Sequence, residues 1–301
     1  MSLPTHVRLV EVGPRDGLQN EPGQVTTQTK IELIRRLLDA GLRTIEVGSF
    51  VSAKWVPQMA DTPQVLRALQ PIEGAHYLAL VPNLQGLQRA RAAEVRDIAV
   101  FAAASETFTR RNINASIEES LARYAEVCAA ALAAGMQVRG YVSTAIACPY
   151  EGDIAPARVA AVARRLAQMG CYEISLGDTI GVGTPARVHA MLDAVLKDLP
   201  LNRIAVHFHD TYGQALANIY ASLERGVATV DSSVAGLGGC PYAPGASGNV
   251  ASEDVVYLLQ GLGIECGIDL DKLTHTGATI CAALGRENQS KAGRALLAKA
   301  Q

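Results

Sequence analysis

The chain has 301 residues, with 27 Lys and Arg against 29 Asp and Glu, a formal net charge of −2. That balance argues against a general nucleic-acid binder, which carries a basic excess. An apolar fraction of 49% beside 19% charged residues excludes a globally disordered chain. No apolar run approaches the ~20 residues of a membrane helix, so neither nucleic acid nor a membrane is an expected partner.

The first residues pass straight into an apolar run, with neither a secretory h-region nor an Arg- and Ser-rich transit peptide, so the expected address is the cytoplasm. Short β-branched runs then alternate with longer Ala- and Leu-rich amphipathic ones. Strands are predicted at 7–12, 44–47, 77–81, 97–101, 137–144, 173–176, 204–208 and 229–234. Helices are predicted at 27–40, with Thr26 or Thr27 as its cap, and at 57–69, 84–93, 116–134, 156–169, 184–198, 214–225, 252–262 and 270–284. Gly41, Gly135, Gly170 and Gly226 stand where helices must stop. Eight strand–helix units in this length predict an α/β fold, a closed (β/α)8 TIM barrel, with an open doubly wound sheet as the rival. No linker divides the chain, so a single domain is expected over 1–301, with 269–301 as a C-terminal helical extension.

A barrel of this kind carries its site at the C-terminal ends of the strands. Ionisable residues fall there repeatedly: Arg15 and Asp16 after strand one, Glu46 in strand two, Asp178 ending strand six, His207 and His209 ending strand seven. His207 and His209 are two residues apart on a strand, so both imidazoles face one side, the lumen. Together with Asp16 and an amide oxygen from Asn249 they make a mixed N/O set suited to Mg²⁺ or Mn²⁺. The plain alternative is one core histidine and one surface histidine, and for Asp16 a turn residue. Arg15 cannot act as a base and is placed to bind an anion, or else to pair with Glu11 or Glu46. Glu46 can support Arg15 or a ligand, and Asp178 can do likewise or cap a helix. Residues 236–248 hold five glycines and two prolines around Cys240, the composition of a lid carrying a thiol able to move a proton. The other five cysteines (Cys128, Cys148, Cys171, Cys266 and Cys281) read as small hydrophobes in a reducing compartment.

At these residues the sequence resembles the 3-hydroxy-3-methylglutaryl-CoA lyase family of metal-dependent barrel lyases. The matching pieces are Val10-Glu-Val-Gly-Pro-Arg-Asp-Gly-Leu-Gln-Asn-Glu21, Ile45-Glu-Val-Gly-Ser-Phe50, Lys54-Trp-Val-Pro-Gln-Met59, Asn112-Ile-Asn114 and Ile117-Glu-Glu-Ser120. They continue with Ser175-Leu-Gly-Asp-Thr-Ile-Gly181, His207-Phe-His-Asp-Thr-Tyr-Gly213 and the glycine-rich run from Gly236 through Cys240 to Asn249. The Arg-Asp and His-x-His pieces are shared by a wider group of metal-barrel lyases and synthases; the Cys-bearing loop and the Lys-Trp-Val-Pro-Gln-Met segment are more particular.

The resemblance implies cleavage of an acyl-CoA, 3-hydroxy-3-methylglutaryl-CoA, to acetyl-CoA and acetoacetate, and with it leucine degradation and ketone-body formation. It implies a divalent cation, Mg²⁺ or Mn²⁺, on Asp16, His207, His209 and Asn249, with Arg15 on the thioester carbonyl, Cys240 in proton transfer and Glu46 as essential support. Asp178 joins them as a catalytic candidate. The assembly expected is a homodimer. Lys54, Arg110 and Arg111 are candidates for the CoA phosphates. The rival readings are a related acyl-CoA lyase or Claisen-type synthase, a two-His-one-carboxylate iron enzyme, and a non-catalytic acyl-CoA binder.

Overall fold

The computed structural model describes residues 3–69, 72–239 and 248–299. Eight parallel strands close on themselves: β1 (Arg8–Glu11), β2 (Thr44–Ser49), β3 (His76–Leu80), β4 (Asp97–Ala103), β5 (Gln137–Ser143), β6 (Glu173–Asp178), β7 (Ile204–Phe208) and β8 (Thr229–Ser232). β1 hydrogen-bonds to both β2 and β8, which makes the closure and removes the open-sheet rival. Every expected strand is present, with ends shifted by at most two residues.

The helices are α1 (Thr27–Asp39), α2 (Thr62–Ala68), α3 (Leu84–Ala92), α4 (Glu106–Ile113), α5 (Ile117–Ala133), α6 (Pro156–Gln168), α7 (Pro185–Val195), α8 (Ala215–Glu224), α9 (Ser252–Gly261), α10 (Leu270–Leu284) and α11 (Lys291–Lys299). Thr26 caps α1 by accepting from the Thr29 N–H at 3.1 Å. The four expected stop glycines all have positive φ; at Gly41 (φ +104°) a Cβ would also lie 2.3 Å from the Gly267 carbonyl oxygen, so no other residue fits. The stretch 57–69 is not one helix. A 3₁₀ turn over Pro57–Met59 precedes α2, and Pro63 sits in the first turn of α2, where its missing N–H costs nothing. α4 and a small hairpin pairing Ala147–Cys148 with Gly152–Asp153 were not expected, whereas α10 and α11 lie within the stretch 269–301 read as a helical extension. α4 is polar and lacks apolar periodicity; its signal is a cap, Ser105 Oγ accepting from Phe108 N–H.

Most of the apolar core lies between the strand cylinder and the helical shell. Inside the barrel the apolar cluster is small, Leu80, Ala99 and Tyr141 with Phe101 against it. Buried charged side chains share that interior. Arg139 on β5 is fully buried; its Nε donates to Glu173 at 2.7 Å and its Nη2 to Asp231 at 2.7 Å. β5 and β8 are not neighbours in the sheet, so that pair spans the lumen.

α10 packs on α1 and α9, and α11 on α9 and α10. Through these contacts the C-terminal helices brace the segment after β8: Gln289 N–H donates to the Ala235 carbonyl, and Glu253, fully buried at the start of α9, accepts from Ala235 N–H at 2.8 Å. Burial pushes the Glu253 carboxyl up to about 8. The folded state thus keeps a proton that the unfolded chain releases near pH 4.5, so this group's contribution falls as pH climbs through that window. Glu253→Gln is expected to flatten the dependence of unfolding free energy on pH between about 4.5 and 8, by up to about 1.4 kcal/mol per pH unit. Urea denaturation across that range reads it, and parallel wild-type and variant curves would refute it.

Candidate active site and metal centre

The chain leaves β1 into a π-helical turn, Gly13–Gly17, whose Asp16 and Gly17 amides both donate back to the Val12 carbonyl. This turn carries Arg15 and Asp16 over the barrel mouth. Glu11 fixes the turn from below. Its Oε1 accepts from Gly13 N–H at 2.8 Å and Val234 N–H at 2.9 Å, and its Oε2 from Ser252 Oγ at 2.6 Å. One buried carboxylate therefore ties the Arg-Asp turn to the segment after β8. Burial raises its pKa to about 7, against the pull of those three donors. Arg15 pairs with Glu46 and not with Glu11.

Arg15 is nearly buried, and its guanidinium is held on two sides. Nε donates to Glu46 Oε2 at 2.7 Å, Nη2 approaches the same oxygen at 2.6 Å, and Nη1 reaches Asp16 Oδ1 at 2.7 Å. Burial works against its charge, but the Glu46 and Asp16 carboxylates outweigh it and hold the group protonated. Each terminal nitrogen bears two N–H bonds, so both keep one beyond these contacts.

His207 and His209 end β7 on one side, as their spacing requires, with ring centroids 5.4 Å apart. One ligand atom from each of Asp16, His207 and His209 lies within 4.8 Å of the others. Asn249 joins them through an antiparallel bridge to His209, and its Nδ2 donates to Asp16 Oδ2 at 2.9 Å and to the Leu237 carbonyl at 3.1 Å. With its nitrogen so committed, the amide oxygen is the atom it can offer a cation. Burial opposes ionisation of Asp16, but Arg15, His207 and His209 prevail and lower its pKa to about 2. Burial, reinforced by His207, lowers His209 to about 4, so its imidazole is neutral near pH 7. An ionised carboxylate, two neighbouring imidazoles and an amide oxygen fit a divalent cation by donor type and by distance.

A cavity of about 670 Å³ opens over this cluster, and Arg15, Asp16, Tyr141, Ser175, His207 and His209 are among its walls. Asp178 does not line it. Its Oδ2 accepts from Gly183 N–H at 2.7 Å, so it fastens the loop after β6. Of the three cations named for CoA phosphates, Arg111 lines the cavity and packs over Tyr150 at 4.2 Å, whereas Lys54 and Arg110 are not in its wall. Cys240, and with it most of the expected lid, falls outside the described residues.

Four polar side chains here escaped the sequence reading: Asp231, Arg139, Ser175 and Tyr141. Their signal was available. Parallel barrel strands usually read as near-continuous apolar runs, yet Arg139 and Tyr141, Glu173 and Ser175, and Asp231 alternate with apolar residues at period two. The Tyr141 phenol is buried with no protein partner, between the Arg15 and Arg139 guanidiniums at 6.0 and 5.0 Å from its ring.

A closed β/α barrel with an acid–imidazole cluster and a pinned arginine at the C-terminal strand ends defines a class of barrel enzymes with a site for a divalent cation. Residues 6–280 match the HMGL-like family, and the chain belongs to it. It is 59% identical over 300 residues to the 3-hydroxy-3-isohexenylglutaryl-CoA/hydroxy-methylglutaryl-CoA lyase of Pseudomonas aeruginosa, covering 100% of both chains. It is 58% identical to the mitochondrial hydroxymethylglutaryl-CoA lyase of Bos taurus, covering 98% of this chain and 90% of that one. The crystal structure of hydroxymethylglutaryl-CoA lyase from Pseudomonas aeruginosa superposes with a TM-score of 0.98 at 58% identity, covering 99% of this chain and 100% of that one.

Proposed function

We propose that this site cleaves 3-hydroxy-3-methylglutaryl-CoA to acetyl-CoA and acetoacetate. The observation that carries the reading is Arg15, immobilised by two carboxylates in the wall of the cavity that holds Asp16, His207 and His209. Cleavage removes the proton of a tertiary hydroxyl, breaks the bond between C2 and C3, and sends its electron pair into a thioester enolate while C3 becomes a ketone. Asp16, His207, His209 and Asn249 would hold a divalent cation, Mg²⁺ or Mn²⁺, which would supply Lewis acidity to the reaction. Arg15 offers its free N–H bonds to the thioester oxygen, where negative charge develops. Glu46 and Asp16 set its orientation before substrate arrives, so little reorganisation is left for the reaction. Cys240 returns a proton to the enolate carbon, from a loop whose composition suits closure.

The experiment is product analysis with 3-hydroxy-3-methylglutaryl-CoA. Acetyl-CoA and acetoacetate in equal amounts are expected with Mg²⁺ or Mn²⁺, and their loss on chelation, restored by metal; substrate left intact under all conditions would refute the reading. A second arm uses a homologue with a longer 3-alkyl chain. The 3-hydroxy-3-isohexenylglutaryl-CoA substrate of the Pseudomonas aeruginosa relative and the apolar cavity residues Leu80, Phe101 and Phe108 favour its turnover.

The scaffold does not suit the iron-oxygenase reading, whose usual frame is all-β. Among the described residues no helix is long and apolar enough to cross a membrane. The five described cysteines are free thiols, which supports a cytoplasmic address. A homodimer belongs to the same proposal, and sedimentation velocity reads it.

A further inference from the structure

The two imidazoles of the cluster are held differently. His207 Nδ1 lies 3.3 Å from a carboxylate, Asp231 Oδ2, whereas His209 is held by the Thr179 backbone. Asp231 is itself gripped. Its Oδ1 accepts from Arg139 Nη2 at 2.7 Å, and its Oδ2 from Arg139 Nη1 at 3.1 Å and Ser175 Oγ at 2.7 Å. Arg139 is anchored in turn by Glu173. Every member of this chain is buried, and it runs from the floor of the barrel up to the underside of His207.

We propose that Asp231 is a positioning residue that fixes the tautomer of His207, and that Arg139 and Ser175 hold Asp231 in place for that purpose. A neutral imidazole carries one N–H. Both Asp231 oxygens accept from the Arg139 guanidinium and Oδ2 also accepts from Ser175 Oγ, the arrangement of a carboxylate in an ion pair. An ionised carboxylate can only accept, so the His207 proton must sit on Nδ1. The Nε2 lone pair is then the one free to meet a cation beside Asp16 and His209. A free histidine side chain in water prefers the opposite tautomer, so the choice is imposed by the fold. Outer-shell carboxylates of this kind set ligand orientation and basicity in metal sites. The inference rests on the cation site proposed above, but the tautomer can be read without any metal.

The test uses the metal-free full chain labelled with ¹⁵N-histidine, its His207 signals assigned by comparison with His207→Gln. Long-range proton–nitrogen spectra, recorded where the imidazoles are neutral, should show His207 with its proton on Nδ1. In Asp231→Asn that population should shift toward Nε2–H. Titration with Mn²⁺, followed by electron paramagnetic resonance, should give a Kd roughly 10–100-fold weaker for Asp231→Asn and a smaller loss for Ser175→Ala. A wild-type His207 protonated on Nε2 overturns the proposal outright, even if Asp231→Asn does not fold. So does an Asp231→Asn protein with a lower melting temperature but unchanged tautomer and Mn²⁺ affinity, the result of a merely structural salt bridge. Wild-type protein that shows the Nδ1 tautomer but binds no Mn²⁺ would defeat the cation reading instead, and leave the tautomer assignment standing.

Discussion

Arg15→Lys is expected to lower turnover of 3-hydroxy-3-methylglutaryl-CoA by ~10²–10³-fold, the usual cost of losing a donor aimed at developing negative charge. The substitution keeps the positive charge, so a purely long-range role for Arg15 predicts a small effect. What lysine lacks is the planar fork. Arg15 spends Nε and Nη2 on Glu46 and Nη1 on Asp16, and still has an N–H on each terminal nitrogen for substrate. A single ammonium cannot span Glu46, Asp16 and a thioester oxygen together. The loss should appear mainly in kcat, because the contact strengthens as the enolate forms. Steady-state kinetics beside a thermal melt separates this from misfolding, and wild-type kcat in a folded variant would remove Arg15 from the reaction.

His209→Ala is expected to weaken Mn²⁺ binding by at least ~100-fold, more than the roughly 10–100-fold lost with an outer-shell partner. The reason lies in the geometry. Asp16, His207 and His209 present one ligand atom each within 4.8 Å, and alanine removes one of the two imidazoles, leaving Asp16, His207 and the Asn249 amide oxygen. Activity should fall with it and should not return at saturating metal, because the cation would no longer be fixed relative to Arg15. The fold should survive, since His209 lies in the cavity wall just past the end of β7 and outside the apolar core. Mn²⁺ titration checks the affinity, and an unchanged Kd would exclude His209 from the ligand set.

The difference between what was legible and what was not follows interaction range. The barrel was legible because alternation of apolar strands and amphipathic helices is written residue by residue, and Gly41, Gly135, Gly170 and Gly226 punctuate it locally. His207 and His209 were legible as a pair because a strand's two-residue repeat alone puts them on one side. Asp178 stayed ambiguous for the same reason: a carboxylate at a strand end looks alike whether it faces the cavity or a loop. Only the fold showed it taken up by the Gly183 amide.

By itself the sequence determined the eight-unit barrel, the strand ends where the reactive residues gather, and the candidate set of Arg15, Asp16, His207, His209 and Asn249, all of them local patterns or motifs. The tertiary structure alone decided that Arg15 pairs with Glu46 and not Glu11, and that Asp231 stands beneath His207. It also showed that Arg139 reaches across the lumen to hold Asp231. Those pairings join residues 24 to 92 positions apart, and barrel closure, a property of the whole chain, sets the distances between them.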